Sequence, residues 1–239
     1  MNKILIVGPE YFEINNSVAY AFDRLGHEAR IFNFCETYPV TKLTRITHGL
    51  FSKLGFTKFV DEYDKKINSD LLDIYYKYKP NVVVIIKGHK IFKETLYQMR
   101  EAKLILWMMD SIVRVPQIYN SINQYDRVFV FEEDDVDILR KRKISAIHLP
   151  LALDTNKYKP KQGNNKIYDV AFVGSLYQER IDILKKIIDY FPKSNIIIYG
   201  FFPSWKVNLK NIFLGMSKYR KQFRKKPQIG RAHVWTPVT

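Results

Sequence analysis

Short apolar runs alternate with amphipathic stretches along residues 1–153. The runs "KILIVG" (3–8) and "NVVVIIKG" (81–88) are continuously apolar, which is typical of strands buried on both faces of a parallel sheet. Four further runs have strand character: "EARIFNF" (28–34), "LILWMMD" (104–110), "DRVFVFE" (126–132) and "AIHLPLAL" (146–153). The alternation predicts an α/β fold with a doubly wound parallel sheet and right-handed crossovers.

The stretches between these strands have helical spacing. In "NSVAYAFDRLG" (16–26) apolar residues recur three and four positions apart, so Asn16 or Ser17 is expected to cap a helix and Gly26 to close it in the left-handed conformation. A long section at about 41–78 is mainly helical in pattern, and "IFKETLYQMREA" (91–102) predicts a helix before the fourth strand.

The alternation of strands and helices stops at 154–167. This segment is rich in Pro, Gly, Asn and Lys and has no periodic spacing of apolar residues. We interpret this segment as a linker between a domain at 1–153 and a second domain at 168–228. The second domain begins with a strand, a helix and another strand: "YDVAFVGS" (168–175), "ERIDILKKIIDYF" (179–191) and "NIIIYGF" (195–201). It is expected to stop after about two strands, too few to bury both faces of a parallel sheet, so the second domain is predicted to be incomplete.

Residues 229–239 have neither a helical nor a strand period. "IGRAHVWTPVT" resembles the translation of a sequencing adapter, with Trp235 in place of a stop codon. It follows "KYRKQFRKKP" (218–227), which has six basic residues in ten and no apolar stripe on which a terminal helix could dock. We therefore expect residues 229–239 to be non-native and to make few buried contacts.

The formal net charge of +15 permits nucleic acid, an anionic membrane or a phosphorylated ligand as a partner. The joint richness in Lys, Ile, Asn, Tyr and Phe is also typical of AT-rich codon usage, which accounts for part of this charge.

No apolar run approaches the length of a membrane span, about 18 residues. The one cysteine, Cys35, is expected to be a small buried hydrophobe in a reducing compartment. The protein is therefore expected to be cytoplasmic, with peripheral association at the inner membrane face left open.

Two motif classes are missing from the sequence. No G-x-G-x-x-G follows the first strand and no P-loop pattern occurs, which disfavours a dinucleotide enzyme and a P-loop NTPase. The acidic run "EEDDVD" (132–137) is interpreted as the first turn of the helix "DDVDILRKR" (134–142), where Asp side chains cap and negative charge complements the dipole. Since no H-x-x-x-H pair occurs either, we expect no metal site.

Candidate site residues follow the carboxyl ends of the predicted strands, where open α/β sheets bind ligands. Among the histidines His89 is the better candidate for catalysis, because its loop faces the predicted cleft; the alternative is a plain loop histidine. Arg180 lies in the first turns of the helix after Gly174 and Ser175, where a helix N-terminus and an arginine favour phosphate. The full set of strand-end candidates comprises Gly8, Pro9, Glu10, Gly88, His89, Asp110, Ser111, Glu132, Glu133, Gly174 and Ser175.

Several segments, taken in order, resemble the CgeB-like (spore maturation protein) glycosyltransferases, which are group 1, family 4-like enzymes with the GT-B fold. The resemblance covers about residues 3–201 and begins with "KILIVGPE…LGHEARIF". Its more specific segments are "LILWMMDS", "YDRVFVFEEDDVDILRK", "AIHLPLALDTNKYKP" and "YDVAFVGSLYQERIDILKKI".

The resemblance implies two Rossmann-like domains, an N-terminal one for the acceptor and a C-terminal one for a nucleotide-sugar, with no metal and no other cofactor. Asp110 and Ser111 match the family's Asp-Ser after the fourth strand, but Met109 stands where the family often has His. Gly174, Ser175 and Arg180 match the family's "FVGS…R".

These matches, together with the positions at the strand ends, suggest roles for most of the candidate residues. Asp110 and His89 would be catalytic, and Gly174, Ser175 and Arg180 would bind the donor phosphates. The residues expected to bind the acceptor substrate are Gly8, Pro9, Glu10 and Ser111.

The sequence thus predicts a glycosyltransferase whose partners are a nucleotide-sugar and an unknown acceptor. Because the second domain is predicted to be incomplete, the chain is expected to show no turnover by itself. Two alternatives stay open: a non-enzymatic Rossmann-like binding or regulatory module, and a basic nucleic-acid-binding protein.

Overall fold

The chain divides into two compact units, Met1–Leu153 and Asp154–Thr239. The computed structural model describes residues 1–9, 13–34, 58–159, 167–201 and 223–225. Residues 229–239, Cys35 and Glu10 lie outside these ranges, so the expectations for them remain predictions.

Unit 1, Met1–Leu153, is built on a six-stranded sheet in the order β2-β1-β3-β4-β5-β6. Every neighbouring pair is parallel. The predicted parallel α/β fold is therefore confirmed. The strands are β1 (Lys3–Pro9), β2 (Glu28–Phe34), β3 (Val82–Ile86), β4 (Lys103–Trp107), β5 (Arg127–Val130) and β6 (Ile147–His148).

The central strands are buried because they are apolar on both faces. In β1 the residues from Ile4 to Pro9 are all buried, and Ile4 pairs with Val82 of β3 while Val7 pairs with Ile85. The edge strand β6 is much shorter than the predicted run 146–153. Pairing ends where Pro150, which has no N–H, follows Leu149.

Helices cover the two faces of this sheet unequally. They are α1 (Ile14–Arg24), α2 (Lys58–Tyr78), α3 (Lys93–Gln98) and α4 (Glu133–Lys141), with three short 3₁₀ turns at 112–114, 116–120 and 122–124. One face carries the larger core, in which Leu71, Leu96 and Leu139 of the helices pack against strand residues such as Leu5 and Leu106. The other face packs on α1, through Ala19 and its neighbours. No helix in the described part of the chain is long and apolar enough to cross a membrane.

The start of α1 differs from the sequence-based prediction, whereas its end agrees. The helix begins at Ile14, and the amide of Ser17 already donates to the carbonyl of Glu13 at 3.0 Å, so neither Asn16 nor Ser17 caps it. The residue before the helix, Glu13, has a φ of 57° and makes no side-chain cap. At the other end Gly26 has a φ of 80°, which confirms the predicted left-handed closure.

Unit 2 contains a second parallel sheet in the order β7-β8-β9, with β7 at Val170–Ser175, β8 at Ile196–Phe201 and β9 at Phe223–Lys225. Helix α5 (Gln178–Tyr190) connects β7 to β8 and buries Ile181, Leu184 and Ile188 against them. The expectation that the sheet stops after two strands is wrong, because Phe223 pairs with Ile198. A third strand satisfies the backbone groups on the edge of β8 that faces away from β7.

Candidate functional site

All strands of unit 1 run in the same direction, so their carboxyl ends meet at one edge of the sheet. At this edge the sequence candidates divide into three neighbouring groups. Gly8 and Pro9 end β1, the segment 87–89 follows β3, and Asp110 with Ser111 follows β4. Because β1 and β4 both pair with β3, the segment 87–89 lies between the other two groups.

Gly8 allows a close approach by the side chain of Asn15 in the first turn of α1. A Cβ on Gly8 would lie 2.6 Å from Asn15 Oδ1 and 3.1 Å from Ile86 Cβ, so any other residue would have to displace Asn15. Asn15 is itself buried, and its Nδ2 donates to Pro9 O at 3.1 Å and to Asn33 Oδ1 at 2.7 Å. These bonds hold the ends of β1 and β2 to the start of α1.

The chain leaves β3 through two consecutive residues in the left-handed region, Lys87 with a φ of 69° and Gly88 with a φ of 61°. A Cβ on Gly88 would lie 2.9 Å from both Leu106 Cδ1 and Tyr125 Oη. Gly88 therefore permits both the left-handed turn and the close packing of Leu106 and Tyr125 against it.

Lys87 and Asp110 form an ion pair between the segments that follow β3 and β4. Lys87 Nζ lies 3.1 Å from Asp110 Oδ2, and 18% of the lysine side chain and 42% of the aspartate side chain are exposed. The Lys87 amide also donates to Trp107 O at 2.9 Å, which joins the two strand ends. The partly exposed carboxylate can accept a hydrogen bond from a ligand hydroxyl while the ammonium balances its charge.

Ser111 is directed away from solvent. Its Oγ donates to Asp135 Oδ1 at 2.9 Å, and the amide of Ile112 donates to Asp135 Oδ2 at 3.0 Å. Asp135 belongs to the acidic start of α4 and is buried, with 1% of its surface exposed. No Asp side chain caps α4, so the predicted capping role is wrong; Asp135 instead fixes the segment that carries Asp110.

His89 is partly buried in a turn that is braced against α2. The carboxamide of Asn68 accepts from the Phe92 amide at 2.8 Å and donates to Lys90 O at 2.9 Å. Beside it, Lys90 Nζ donates to Asp64 Oδ1 at 2.7 Å in a largely shielded ion pair. The backbone that follows His89 is therefore held against α2.

In unit 2 the candidates Gly174, Ser175 and Arg180 lie together. Arg180 Nη1 donates to Ser175 O at 3.1 Å, and it would lie 3.6 Å from a Cβ on Gly174. Gly174 pairs with Gly200 of β8, where a Cβ would lie 2.6 Å from Gly174 O. The guanidinium thus lies across the turn between β7 and the first turn of α5, where backbone N–H groups and the helix dipole favour an anion.

The described ranges contain no cluster of three or more His, Cys, Asp or Glu side chains suited to a metal ion. The acidic residues at 132–137 do not form one. Asp135 is directed to Ser111, and Asp137 pairs with Arg140.

Sequence reasoning missed three of the residues that organise this edge: Asn15, Lys87 and Asp135. A lysine directly after the apolar run "VVVII" was a usable signal, because a charge at the carboxyl end of a buried strand needs a partner. Asn15 and Asp135 gave no comparable signal, since Asn and Asp are ordinary residues near helix starts.

The sequence matches no protein-family model and no curated protein, but the fold matches solved structures. UDP-GlcNAc 2-epimerase from Methanocaldococcus jannaschii aligns with a TM-score of 0.58 at 13% identity, over 96% of this chain and 74% of that chain. MnaA from S. aureus, in a co-structure with UDP, gives 0.57 at 10% identity, over 97% and 70%.

A glycosyltransferase is also among the similar structures. The lipopolysaccharide outer core galactosyltransferase WaaB, in its apo form, aligns with a TM-score of 0.52 at 12% identity, over 93% of this chain and 67% of that chain. The chain therefore has a GT-B glycosyltransferase-like fold with Rossmann-like units, as the sequence resemblance implied.

Proposed function

We propose that this protein is a glycosyltransferase that uses a nucleotide-sugar donor. In this proposal unit 2 binds the donor diphosphate and unit 1 presents the acceptor. Support comes from the fold, which is similar to that of WaaB, and from the resemblance of the segments between residues 104 and 187 to the CgeB-like glycosyltransferases.

The observation that carries the proposal is the position of Arg180 across the turn formed by Gly174 and Ser175. Gly174 has no Cβ to keep a phosphate from the backbone, and α5 begins three residues after Ser175. An arginine at such a helix start can bind a diphosphate through two N–H groups and stabilise the charge that develops on the leaving nucleotide.

On the acceptor side, we propose that Asp110 accepts the proton of the attacking hydroxyl and that Lys87 holds its carboxylate in place. The ion pair at 3.1 Å orients the carboxylate, and the exposed fraction of Asp110 leaves room for a hydroxyl to approach. His89, on the braced turn beside Lys87, is proposed as a second group that contacts the acceptor.

A second candidate function is epimerisation of a nucleotide-sugar. It is favoured by the TM-scores of the UDP-GlcNAc 2-epimerases, which are slightly above that of WaaB. Both functions require a bound nucleotide diphosphate, so product analysis is what separates them.

The proposal is tested with the full chain, UDP and UDP-GlcNAc. Calorimetry is expected to detect UDP binding that persists in EDTA, since no metal is proposed. Release of UDP from UDP-GlcNAc would identify a transferase, and formation of the 2-epimer would identify an epimerase. A chain that binds neither compound would contradict both enzymatic functions.

Arg180→Ala is expected to weaken UDP binding by about 1.5–3 kcal/mol, the range for a hydrogen bond to a charged group. The control is Lys186→Ala, which removes one positive charge from an exposed position of the same helix, farther from Ser175. Equal effects of the two substitutions would attribute binding to general charge and remove Arg180 from the site.

A further inference from the structure

Tyr177 is the residue immediately before α5, and its ring faces Arg180. The backbone of Tyr177 is fixed, because its carbonyl accepts the amide of Ile181 at 3.0 Å. About half of the residue is exposed (49%), and Arg180 Cζ lies 5.4 Å from the ring centroid. This distance is within the range of a cation–π contact.

Among the described residues, the ring is one of three groups that lie close to the guanidinium. The second is the carbonyl of Ser175, which accepts a hydrogen bond from Arg180 Nη1. The third is Gly174, which has no Cβ on the side that faces the guanidinium. An exposed arginine would otherwise sample many rotamers, at an entropic cost when a ligand fixes one of them. Here the contact with Tyr177 restricts that freedom before a ligand arrives.

Capping does not explain the side chain of Tyr177, which makes no hydrogen bond to the start of α5. Tyr177 and Arg180 are three positions apart, the spacing at which side chains meet along one side of a helix start. Tyr190 at the other end of the helix is a useful contrast, because it is exposed and its ring contacts Phe191.

We propose that Tyr177 is a positioning residue that holds the Arg180 guanidinium over the Gly174–Ser175 turn for a nucleoside diphosphate. The inference rests on the proposed function, since it assigns a new role at the same site. Its physical basis is pre-organisation: the ring restrains the arginine in the free protein, so that less freedom is lost on binding.

The test compares Tyr177→Leu with Tyr177→Phe in the full chain, with UDP as the probe. Leu keeps apolar bulk but has no π face, and it is expected to weaken UDP binding about three- to fivefold. Phe keeps the face and is expected to stay within about twofold of the unsubstituted chain. Tyr190→Leu is the matched control and is expected to leave the affinity unchanged. In an Arg180→Ala background, Tyr177→Leu should have no further effect, because the ring acts only through the arginine.

A second measurement needs no ligand. The side-chain Nε–H signal of Arg180 in an NMR spectrum should be shifted by the ring current of Tyr177, with the shift retained in Tyr177→Phe and lost in Tyr177→Leu. Unchanged melting temperatures would show that each variant is folded.

The outcomes separate the inference from the proposed function. If Arg180→Ala weakens UDP binding but Tyr177→Leu does not, the positioning role is wrong and the proposed function stands. An Arg180 Nε–H signal with the same chemical shift in both Tyr177 variants would also contradict the positioning role of Tyr177. If the unsubstituted chain does not bind UDP, the proposed function is wrong, and so is the assignment of a nucleoside diphosphate as the ligand of Arg180.

Discussion

At the scale of single residues, the carboxyl end of β3 depends on backbone conformation. Lys87 and Gly88 both have positive φ values, and only glycine adopts that region without a steric penalty. Lys87 adopts it while forming the ion pair with Asp110 and the backbone bond to Trp107. A strained residue at a strand end that meets a charged partner is typical of a functional position.

Gly88→Ala is expected to destabilise unit 1 by about 2–4 kcal/mol. The new methyl group would combine the left-handed penalty with a collision at 2.9 Å against Leu106 and Tyr125. The free energy of unfolding, measured by urea denaturation, checks this value.

Gly26→Ala separates the two causes. Gly26 has a φ of 80°, but a Cβ there would meet nothing within 4 Å, so only the conformational penalty of about 1–2 kcal/mol is expected. Tyr125→Phe removes one of the colliding atoms at Gly88 and should reduce the cost of Gly88→Ala by at least about 0.5 kcal/mol. Equal costs at the two glycines would show that the packing around Gly88 relaxes freely.

At the scale of secondary-structure elements, α4 supports the segment that carries Asp110. Asp135→Ala would leave the Ser111 hydroxyl and the Ile112 amide without their acceptor in a buried site. The expected loss of stability is about 2–4 kcal/mol. Asp134→Ala, at the exposed neighbouring position of the same acidic turn, is expected to cost about 0.3–1 kcal/mol through the helix dipole alone. Thermal unfolding of both variants measures the difference; similar losses would mean that the Ser111 contact contributes little.

The elements themselves were largely predictable from the apolar pattern. Runs such as "KILIVG" and "NVVVIIKG" are explained by burial on both faces of a sheet, a property of the local sequence. Element ends were less predictable because they depend on tertiary contacts. Helix α1 starts early at Ile14, where Asn15 bonds to Pro9 and Asn33, and β6 is short because Pro150 ends its pairing.

The candidate site was predictable only as a location. The rule that ligands bind beyond strand ends selected Asp110, His89 and Gly174 as candidates. In the structure several of the candidates lie at the carboxyl edge of the sheet in their own unit. The position of Lys87 after an apolar strand indicated that it needs a charged partner, but the identity of that partner was not predictable, because Asp110 follows a different strand. The inward direction of Ser111 likewise depends on Asp135, which is 24 residues away in sequence.

At the scale of the whole molecule, the stability of unit 1 is expected to depend on alkaline pH. Burial raises the pKa of Tyr125 in unit 1 above its ordinary value of 10.0. The pKa of Tyr75 and of Tyr78 is also raised, first by burial and then by other groups such as the carboxylates of Glu101 and Glu28, respectively. The folded state therefore keeps these phenolic protons at a pH where the unfolded chain has lost them.

Because the folded-state pKa values are raised, the stability of unit 1 should be unaffected by these tyrosines below about pH 9 and should fall as the pH rises above 10. Each fully shifted tyrosine contributes a slope of about 1.4 kcal/mol per pH unit in that window. Tyr125→Phe should reduce the slope, whereas Tyr97→Phe, at an exposed position, should not. Urea denaturation between pH 8 and 11 provides the measurement, and identical slopes in the two variants would contradict the assignment to Tyr125.

The strand order of unit 1 has a consequence for how the protein is made. On the ribosome β1 emerges first and gains β2 soon afterwards, but its other neighbour, β3, is almost 80 residues farther along, as the pairing of Ile4 with Val82 shows. At a translation rate of about 5–20 residues per second, the second edge of β1 stays unpaired for roughly 4–16 s before β3 is synthesised. From β3 onward each new strand adds to the edge left by the previous one, in the order β4, β5, β6. Growth of the sheet then keeps pace with translation, and the interval before β3 is the period when a chaperone would be needed most.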